Sequence, residues 1–370
     1  MDRLKAYGAV TQAPQQPAPV KADCYRAFDR TPRSLYPLKD VLEGPCLEAL
    51  TGLTFPDVPL SSLLFLDTET TGLSGGAGTL AFLTGVGYFE GDSFVVEQNL
   101  MRDYDEEAFL LGHVADRLQS AGLLVTFNGG TFDMPLLESR FIMQRMQGAY
   151  RLPPHADLLR SARSAWRLRL GRCSLSALEE TVFGMKRKDD LPGALVPKAF
   201  FDYLKCRDFA LLKPVLEHNA QDIRTLPLLL VRLLELYANP LASVHPQDVY
   251  SIGRVMEKRG GLETARRCYR AADQGSLSRL SRMTLADSYR REKRYQDAAK
   301  VYELMIDAGQ GGSYPLIALA KLCEHRLSDA PRALALTRKA MLYLDPYDEQ
   351  AFQEVQKRAL RLMKKIGRMI

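Results

Sequence analysis

The sequence predicts an α/β domain followed by an all-α domain of helical repeats. Three observations carry this. Between residues 61 and 237, strand-like runs come first and helix-like runs follow; residues 238–247 are turn-rich, with Asn239-Pro240 and His245-Pro246; beyond them helix pairs recur with Ala and Tyr at matching offsets. A chain of 370 residues can hold two domains with their own cores, and 46% hydrophobic with 25% charged residues is the balance of a globular protein. No apolar run is long enough to span a bilayer, and Met1-Asp2-Arg3-Leu4-Lys5 leads into no apolar segment. Neither a membrane protein nor a secretory signal is expected. Cys24, Cys46, Cys173, Cys206, Cys268 and Cys323 form no C-x-x-C pair. That argues against a zinc site and a disulfide framework, and for a reducing, cytoplasmic setting.

Residues 1–22, with Gln12, Pro14, Gln15, Gln16, Pro17 and Pro19, read as a flexible arm. Residues 23–60 mix apolar pairs with Pro37, Pro45, Pro56 and Pro59 and read as irregular cover. The domain at 61–237 opens on Leu63-Leu64-Phe65-Leu66, a buried strand. The turn Gly72-Leu73-Ser74-Gly75-Gly76-Ala77-Gly78 lacks the Gly-Lys-Ser/Thr ending of a phosphate-cradling loop. Residues 80–89 and 93–101 are β-rich and joined by Glu90-Gly91-Asp92, a hairpin signal. Phe109, Leu110, Val114 and Leu118 predict a helix over 104–120, and Asp103, Asp105, Glu106 and Glu107 suit the positive end of its dipole. Leu123-Leu124-Val125-Thr126-Phe127 is a second buried strand; Asn128-Gly129-Gly130 turns the chain, and Phe132-Asp133 opens a helix to about residue 146. His155-Ala156-Asp157 starts another unit, with helices near 158–168, 174–183 and 196–205, and Lys186-Arg187-Lys188-Asp189-Asp190 as an exposed loop. A long helical stretch over 209–237 is expected to be interrupted or kinked at Pro214 and Pro227.

Residues 238–247 read as a linker, and residues 248–370 as the repeats. Leu285, Ala286, Tyr289, Tyr295, Ala298, Tyr302 and Met305 have the offsets of a tetratricopeptide helix pair, in which small residues let neighbouring helices approach. Ile252, Gly253, Met256, Leu262, Ala265, Tyr269 and Ala272 repeat them upstream. A third copy around Leu319, Ala320, Cys323, Ala333 and Ala340 needs a one-residue insertion. A last helix over 347–366 sets Phe352, Val355, Ala359, Leu362 and Ile366 on one face and Lys357, Arg361, Lys364, Lys365 and Arg368 on the other, a capping helix with a basic outer side. The net charge of +6 sits here: residues 241–370 carry 24 Lys and Arg against 15 Asp and Glu, and residues 1–240 carry 26 against 29. Such an excess marks either a surface that meets nucleic acid or a solvated helical surface. A break after about residue 238 is expected to leave a soluble first domain.

The chemistry starts at Asp67-Thr68-Glu69. Strand side chains alternate faces, so the two carboxylates point the same way and repel. A divalent cation between them, Mg²⁺ or Mn²⁺, would lower that cost; the alternative is two solvated acids at a strand end. Asp133 stands at a strand-to-helix turn, where an Asp alone caps a helix as readily as it binds a metal. His218 and Asp222 are four apart and share a helix face, which alone reads as a solvent-facing pair.

Together the order is Asp-x-Glu on a strand, Asp at a later turn, and Asp with a companion His on a late helix. This resembles the DEDD 3′–5′ exonucleases of the ribonuclease H-like fold. Residues 65–72, 127–133, 155–159 and 218–223 resemble more closely the YprB-type ribonuclease H-like family of bacteria, whose members can carry C-terminal tetratricopeptide repeats. The resemblance covers about residues 30–345. Asp-x-Glu-Thr-Thr-Gly at 67–72 is its most specific motif. One departure stands out: many DEDD enzymes place the catalytic His five residues before the last Asp, whereas His218 precedes Asp222 by four, the spacing of the branch that uses Tyr.

The resemblance implies a mixed sheet flanked by helices. It implies Asp67, Glu69, Asp133 and Asp222 as ligands of two Mg²⁺ or Mn²⁺ ions about 4 Å apart, with His218 as general base. The implied substrate is nucleic acid, DNA in repair ahead of RNA trimming, with a non-catalytic adaptor as the further alternative. The repeats would hold a longer nucleic acid or a protein partner such as a helicase. Thr68, Thr70, Thr71 and Asn128 beside the acids are expected to touch the strand. Arg160, Arg163 and Arg167 around Trp166 either bind backbone and stack bases or form a solvated helix with one packed Trp. Asp157 is read as a metal-site assistant or a cap.

Overall fold

A computed structural model describes residues 23–72, 78–188, 190–345 and 347–367. The arm expected at 1–22 and most of the glycine-rich turn lie outside the described residues. Two compact units are each built from separate stretches: up to Gly44, Phe55–Leu158 and Met185–Val231 in the first; Pro45–Thr54, Leu159–Gly184 and Arg232 onward in the second. This differs from the expected consecutive division at 238–247.

The first unit holds a six-stranded mixed sheet flanked by helices. Its strands are β1 (Tyr25–Pro32), β4 (Leu63–Thr70), β5 (Ala81–Glu90), β6 (Ser93–Leu100), β7 (Leu123–Thr126) and β8 (His155–Asp157), while β2 (Val41–Leu42) and β3 (Val58–Pro59) form a separate two-stranded ribbon. The order is β1-β6-β5-β4-β7-β8. The β1–β6, β6–β5 and β5–β4 pairs are antiparallel, and β4–β7 and β7–β8 are parallel. The expected hairpin is β5–β6, turned at Gly91 with φ 56°. Leu63, Leu64, Phe65 and Leu66 are all buried, as a central strand covered on both faces requires. One core joins Leu64, Leu66, Phe82, Val86 and Leu100 of the sheet to Leu110, Leu111, Val114, Phe141 and Phe200 of the helices Glu107–Ser120, Asp133–Met143 and Val196–Cys206.

Three expectations are corrected. Residues 23–60 are not merely irregular cover: they supply the edge strand β1 and the helix Gly44–Thr51. The helix Lys213–Ala238 is not interrupted at either proline. Pro214 sits in its first turn, where no intrahelical N–H bond is lost, and Pro227 is accommodated inside. Residues 159–184 belong with the helices beyond 232 rather than with the sheet. Ser161 on the helix Leu158–Leu170 donates from its hydroxyl to Leu50 O at 2.8 Å and accepts at its carbonyl from Tyr237 at 3.1 Å. Arg169 pairs with buried Asp248 at 2.7 Å. Periodicity reveals an apolar face but not which partner will cover it.

In the second unit, the helices Pro246–Lys258 and Leu262–Ala271, Ser278–Arg291 and Tyr295–Asp307, and Ser313–His325 and Ala330–Met341 pair in sequence, followed by Glu349–Ile366. Tyr250, Ala265, Tyr269, Ala286, Tyr289, Ala298, Tyr302, Cys323, Ala333 and Leu362 share one core. A Cβ on Gly253 would lie 2.8 Å from Cys268 Cβ, so glycine there permits the first pair's close approach. The last helix is not basic only toward solvent: Arg358 and Arg361 turn to buried Glu324, Arg361 Nε at 2.9 Å. Among the described residues, no helix is long and apolar enough to cross a membrane.

Candidate active site

Beyond Leu66 the burial along β4 alternates: Asp67 and Glu69 are partly exposed, Thr68 and Thr70 are buried. Across the sheet, Asp67 faces Gly85 on β5, and Gly85 faces Gln98 on β6. A Cβ on Gly85 would lie 2.2 Å from Asn219 Oδ1, so the glycine leaves room for that side chain. Asn219, fully buried, enters from the helix Lys213–Ala238. Its Nδ2 donates to Asp67 Oδ2 at 3.0 Å, and its Oδ1 accepts from Gln98 Nε2 at 3.0 Å. Gln98 Nε2 also donates to Leu216 O at 2.8 Å. A chain of buried amides thereby orients the Asp67 carboxylate.

Asp133 begins the helix Asp133–Met143, where the dipole favours its charge, and is buried. Its Oδ1 accepts from the Thr68 backbone N–H at 3.1 Å and the Thr68 hydroxyl at 2.6 Å. The preceding turn places Asn128 at φ 71°. Asp157 accepts from the N–H groups of Asn128 at 2.8 Å and Gly130 at 3.2 Å, so it caps this turn while its charge bears on Asp133.

His218 Nε2 lies 3.9 Å from Asp222 Oδ2, and its Nδ1 lies 2.6 Å from Asp190 Oδ1. Arg187 donates to Asp222 Oδ1 and stands 3.4 Å from both Asp190 Oδ2 and His218 Nδ1. The shorter Asp190 contact decides the tautomer: Nδ1 carries a proton toward the carboxylate, and Nε2 is left to accept.

The acids feel one another. Burial, then the charges of Asp222, Asp133 and Glu69, hold the Asp67 carboxyl well above its usual range, with Asn219 opposing. Burial, followed by Asp222 and Asp133, pushes Glu69 up to about 8 against the pull of Arg187. Burial pushes Asp133 up to about 6, moderated by its bonds from Thr68. Four hard oxygen donors in a site that resists their charge fit divalent cations, Arg187 being the cation now at Asp222. Among the described residues, the His, Cys and carboxylate ligand atoms lying within 4.8 Å of one another belong to Asp23, Cys24 and His113. Burial pushes the Cys24 thiol up to about 12, so it stays neutral, and His113 Nε2 lies 2.8 Å from Asp23 Oδ1, a contact that a His–Asp hydrogen bond explains without a metal. The four acids are set more widely than that single-ion spacing.

The expected strand contacts fare differently. The Thr68 hydroxyl is spent on Asp133, Thr70 donates to Gly72 O at 2.7 Å, and Thr71 Oγ1 accepts from Leu80 N at 2.9 Å. Asn128 is exposed and accepts from the Thr131 hydroxyl at 2.9 Å. Arg160, Arg163 and Arg167 are exposed but belong to the second unit, whereas the acids and His218 belong to the first. Trp166 is 1% exposed and packed, so it offers no stacking face. Sequence reading missed Asn219, Gln98, Gly85, Arg187 and Asp190. Only the adjacency of Asn219 to His218 and the charged loop at 186–190 offered a signal.

Residues 64–234, which carry most of the mixed sheet, match the family model described as RNase_H superfamily. That stretch is therefore similar to ribonuclease H superfamily domains. The chain is 29% identical over 312 residues to "Uncharacterized protein YprB" of Bacillus subtilis (strain 168), covering 82% of this chain and 75% of that protein. Among solved structures, the family B DNA polymerase from the hyperthermophilic archaeon Pyrobaculum calidifontis aligns with a TM-score of 0.38 and 17% identity over 54% of this chain. The aligned part spans 29% of the polymerase chain.

Proposed function

We propose that the first unit is a metal-dependent 3′–5′ exonuclease of the DEDD type that hydrolyses nucleic-acid phosphodiesters, with DNA under repair as its substrate. The observation that carries this reading is the cost of keeping Asp67, Glu69 and Asp133 ionised, set first by burial and, for Asp67 and Glu69, next by the charges of neighbouring acids that include Asp222. Such a cost is relieved by cations and serves no purpose in a binding module. Asp67, Glu69, Asp133 and Asp222 would hold a pair of Mg²⁺ or Mn²⁺ ions, which supply an acidified water and charge neutralisation at the leaving oxygen. Asn219 fixes the aim of Asp67, and Thr68 that of Asp133. Asp190 keeps the His218 proton on Nδ1, so Nε2 takes the proton released by the attacking water. The helix pairs of the second unit are read as tetratricopeptide-like repeats.

The test is a digestion panel of 3′- and 5′-labelled single- and double-stranded DNA and RNA, with Mg²⁺, Mn²⁺ or EDTA. Stepwise loss from 3′ ends of DNA that EDTA abolishes is the expected result. Preference for RNA would move the reading to an exoribonuclease. No cleavage together with no Mn²⁺-linked rise in melting temperature would leave a non-catalytic adaptor.

A further inference from the structure

The second unit contains a groove of about 1070 Å³ whose walls come from three of its helix pairs. That exceeds the usual small-molecule pocket of roughly 300–1,000 Å³. Five cationic side chains line it, Arg254, Arg290, Arg291, Lys321 and Arg326, against one carboxylate, Asp287. Arg290 pairs with Asp287 at 2.9 Å and Arg291 with Glu257 at 2.8 Å. Arg254 meets the Tyr250 hydroxyl at 3.4 Å. Lys321 and Arg326 have no ion-pair partner among the described residues, and the Arg326 guanidinium lies 5.2 Å over the ring of Tyr295. Tyr314 adds a second half-buried ring to the wall.

We infer that this groove seats a single nucleic-acid strand, and the inference rests on reading the first unit as acting on nucleic acid. Guanidinium groups match phosphates in charge and fork geometry, and they stack on rings as a base does. Exposed cations alternating with aromatic faces are what a strand of phosphates and bases needs. An acidic peptide would satisfy the charges alone. The strand is thereby held on the same chain as the carboxylate site.

The experiment is fluorescence anisotropy of a 5′-fluorescein oligo(dT) of about 20 nucleotides against the full chain in EDTA, at several salt concentrations. No turnover is read, so failure of the nuclease assignment appears separately, in the digestion panel. The charge-reversal pair Lys321→Glu/Arg326→Glu is expected to weaken binding at least about tenfold near 50 mM salt. Losing two phosphate contacts should also flatten the log–log salt slope by about 1.4. The milder Lys321→Ala/Arg326→Ala should show the same change of slope with an unchanged melting temperature, which guards against misfolding. Wild-type affinity and slope in both variants would overturn the inference. So would a poly-glutamate peptide that binds the wild type more tightly than the oligonucleotide, which would assign the groove to an acidic protein segment.

Discussion

The amide of Asn219 donates to Asp67 Oδ2 at 3.0 Å across the space left by Gly85. Asn219 lies on a helix and Asp67 on a central strand, 152 residues apart in sequence, so one hydrogen bond joins the two ends of the candidate site. Replacing Asn219 by Ala should lower turnover by roughly 10–100-fold, the usual cost of losing a group that orients a metal ligand. It also strips Gln98 of one acceptor, and a stability loss of about 1–3 kcal/mol is expected. Gly85→Ala should mimic it by pushing Asn219 aside. Mn²⁺ titration and turnover of both variants check this: full activity in either would mean that Asp67 needs no such support.

Asp67→Asn should abolish cleavage and stabilise the metal-free protein. The sign follows from Glu69 and Asp133, held at about 8 and about 6 when folded, against 4.5 and 3.8 as ordinary values. Between those limits the native state binds more protons than the unfolded chain, so stability falls as pH rises. The wild-type melting temperature without metal should therefore drop from pH 5.5 to pH 8.5, and Mn²⁺ should restore it at the upper end. In Asp67→Asn one repelling charge is gone, so the drop should be shallower and the Mn²⁺ response weaker. A variant that still cleaves in Mg²⁺ or Mn²⁺ would end the two-ion reading.

Asp190 lies 2.6 Å from His218 Nδ1 and sets which ring nitrogen is free. His218→Ala should cost about 10²–10⁴ in rate with Mn²⁺ affinity retained. Asp190→Asn should lose part of that rate with Mn²⁺ affinity retained, because an amide can donate to Nδ1 and move the proton to Nε2. Equal losses of Mn²⁺ affinity and rate in His218→Ala would instead make His218 a ligand.

Arg187 bonds Asp222 and opposes the raised pKa of Glu69. It is a built-in counter-ion that a divalent cation must share or displace. Arg187→Gln should bind Mn²⁺ more tightly, on the order of tenfold, and melt at a lower temperature without metal at pH 8. Weaker Mn²⁺ binding in that variant would show Arg187 supporting the ligands rather than competing.

Much of this was legible locally. A buried strand ending in Asp67-x-Glu69 and the β5–β6 hairpin announce themselves through runs of adjacent residues. Asp133 and the His218–Asp222 pair stood out by position and helical spacing, and the resemblance in their order joined them to Asp67 and Glu69. What escaped depends on partners far along the chain. Nothing near Arg187 says that its guanidinium meets a helix 35 residues later, and nothing in 23–60 says that β1 pairs with β6. A helix near 158–168 was expected, but not that its residues from Leu159 onward belong to the second unit.

That last point reverses the expected effect of cutting the chain after Ala238. The cut leaves the stretches Pro45–Thr54 and Leu159–Gly184 without the part of their unit that lies beyond Ala238. Trp166 is 1% exposed in the intact chain, and Arg169 would lose Asp248, its partner at 2.7 Å. Apolar surface newly open to water favours aggregation. The truncated protein should therefore be poorly soluble and melt lower. As Trp166 is the single tryptophan, its fluorescence reads the effect directly and should shift to the red. A soluble truncated chain with the emission of the full-length protein and undiminished cleavage of short oligonucleotides would show instead that residues 159–184 hold their fold without the helices beyond 238.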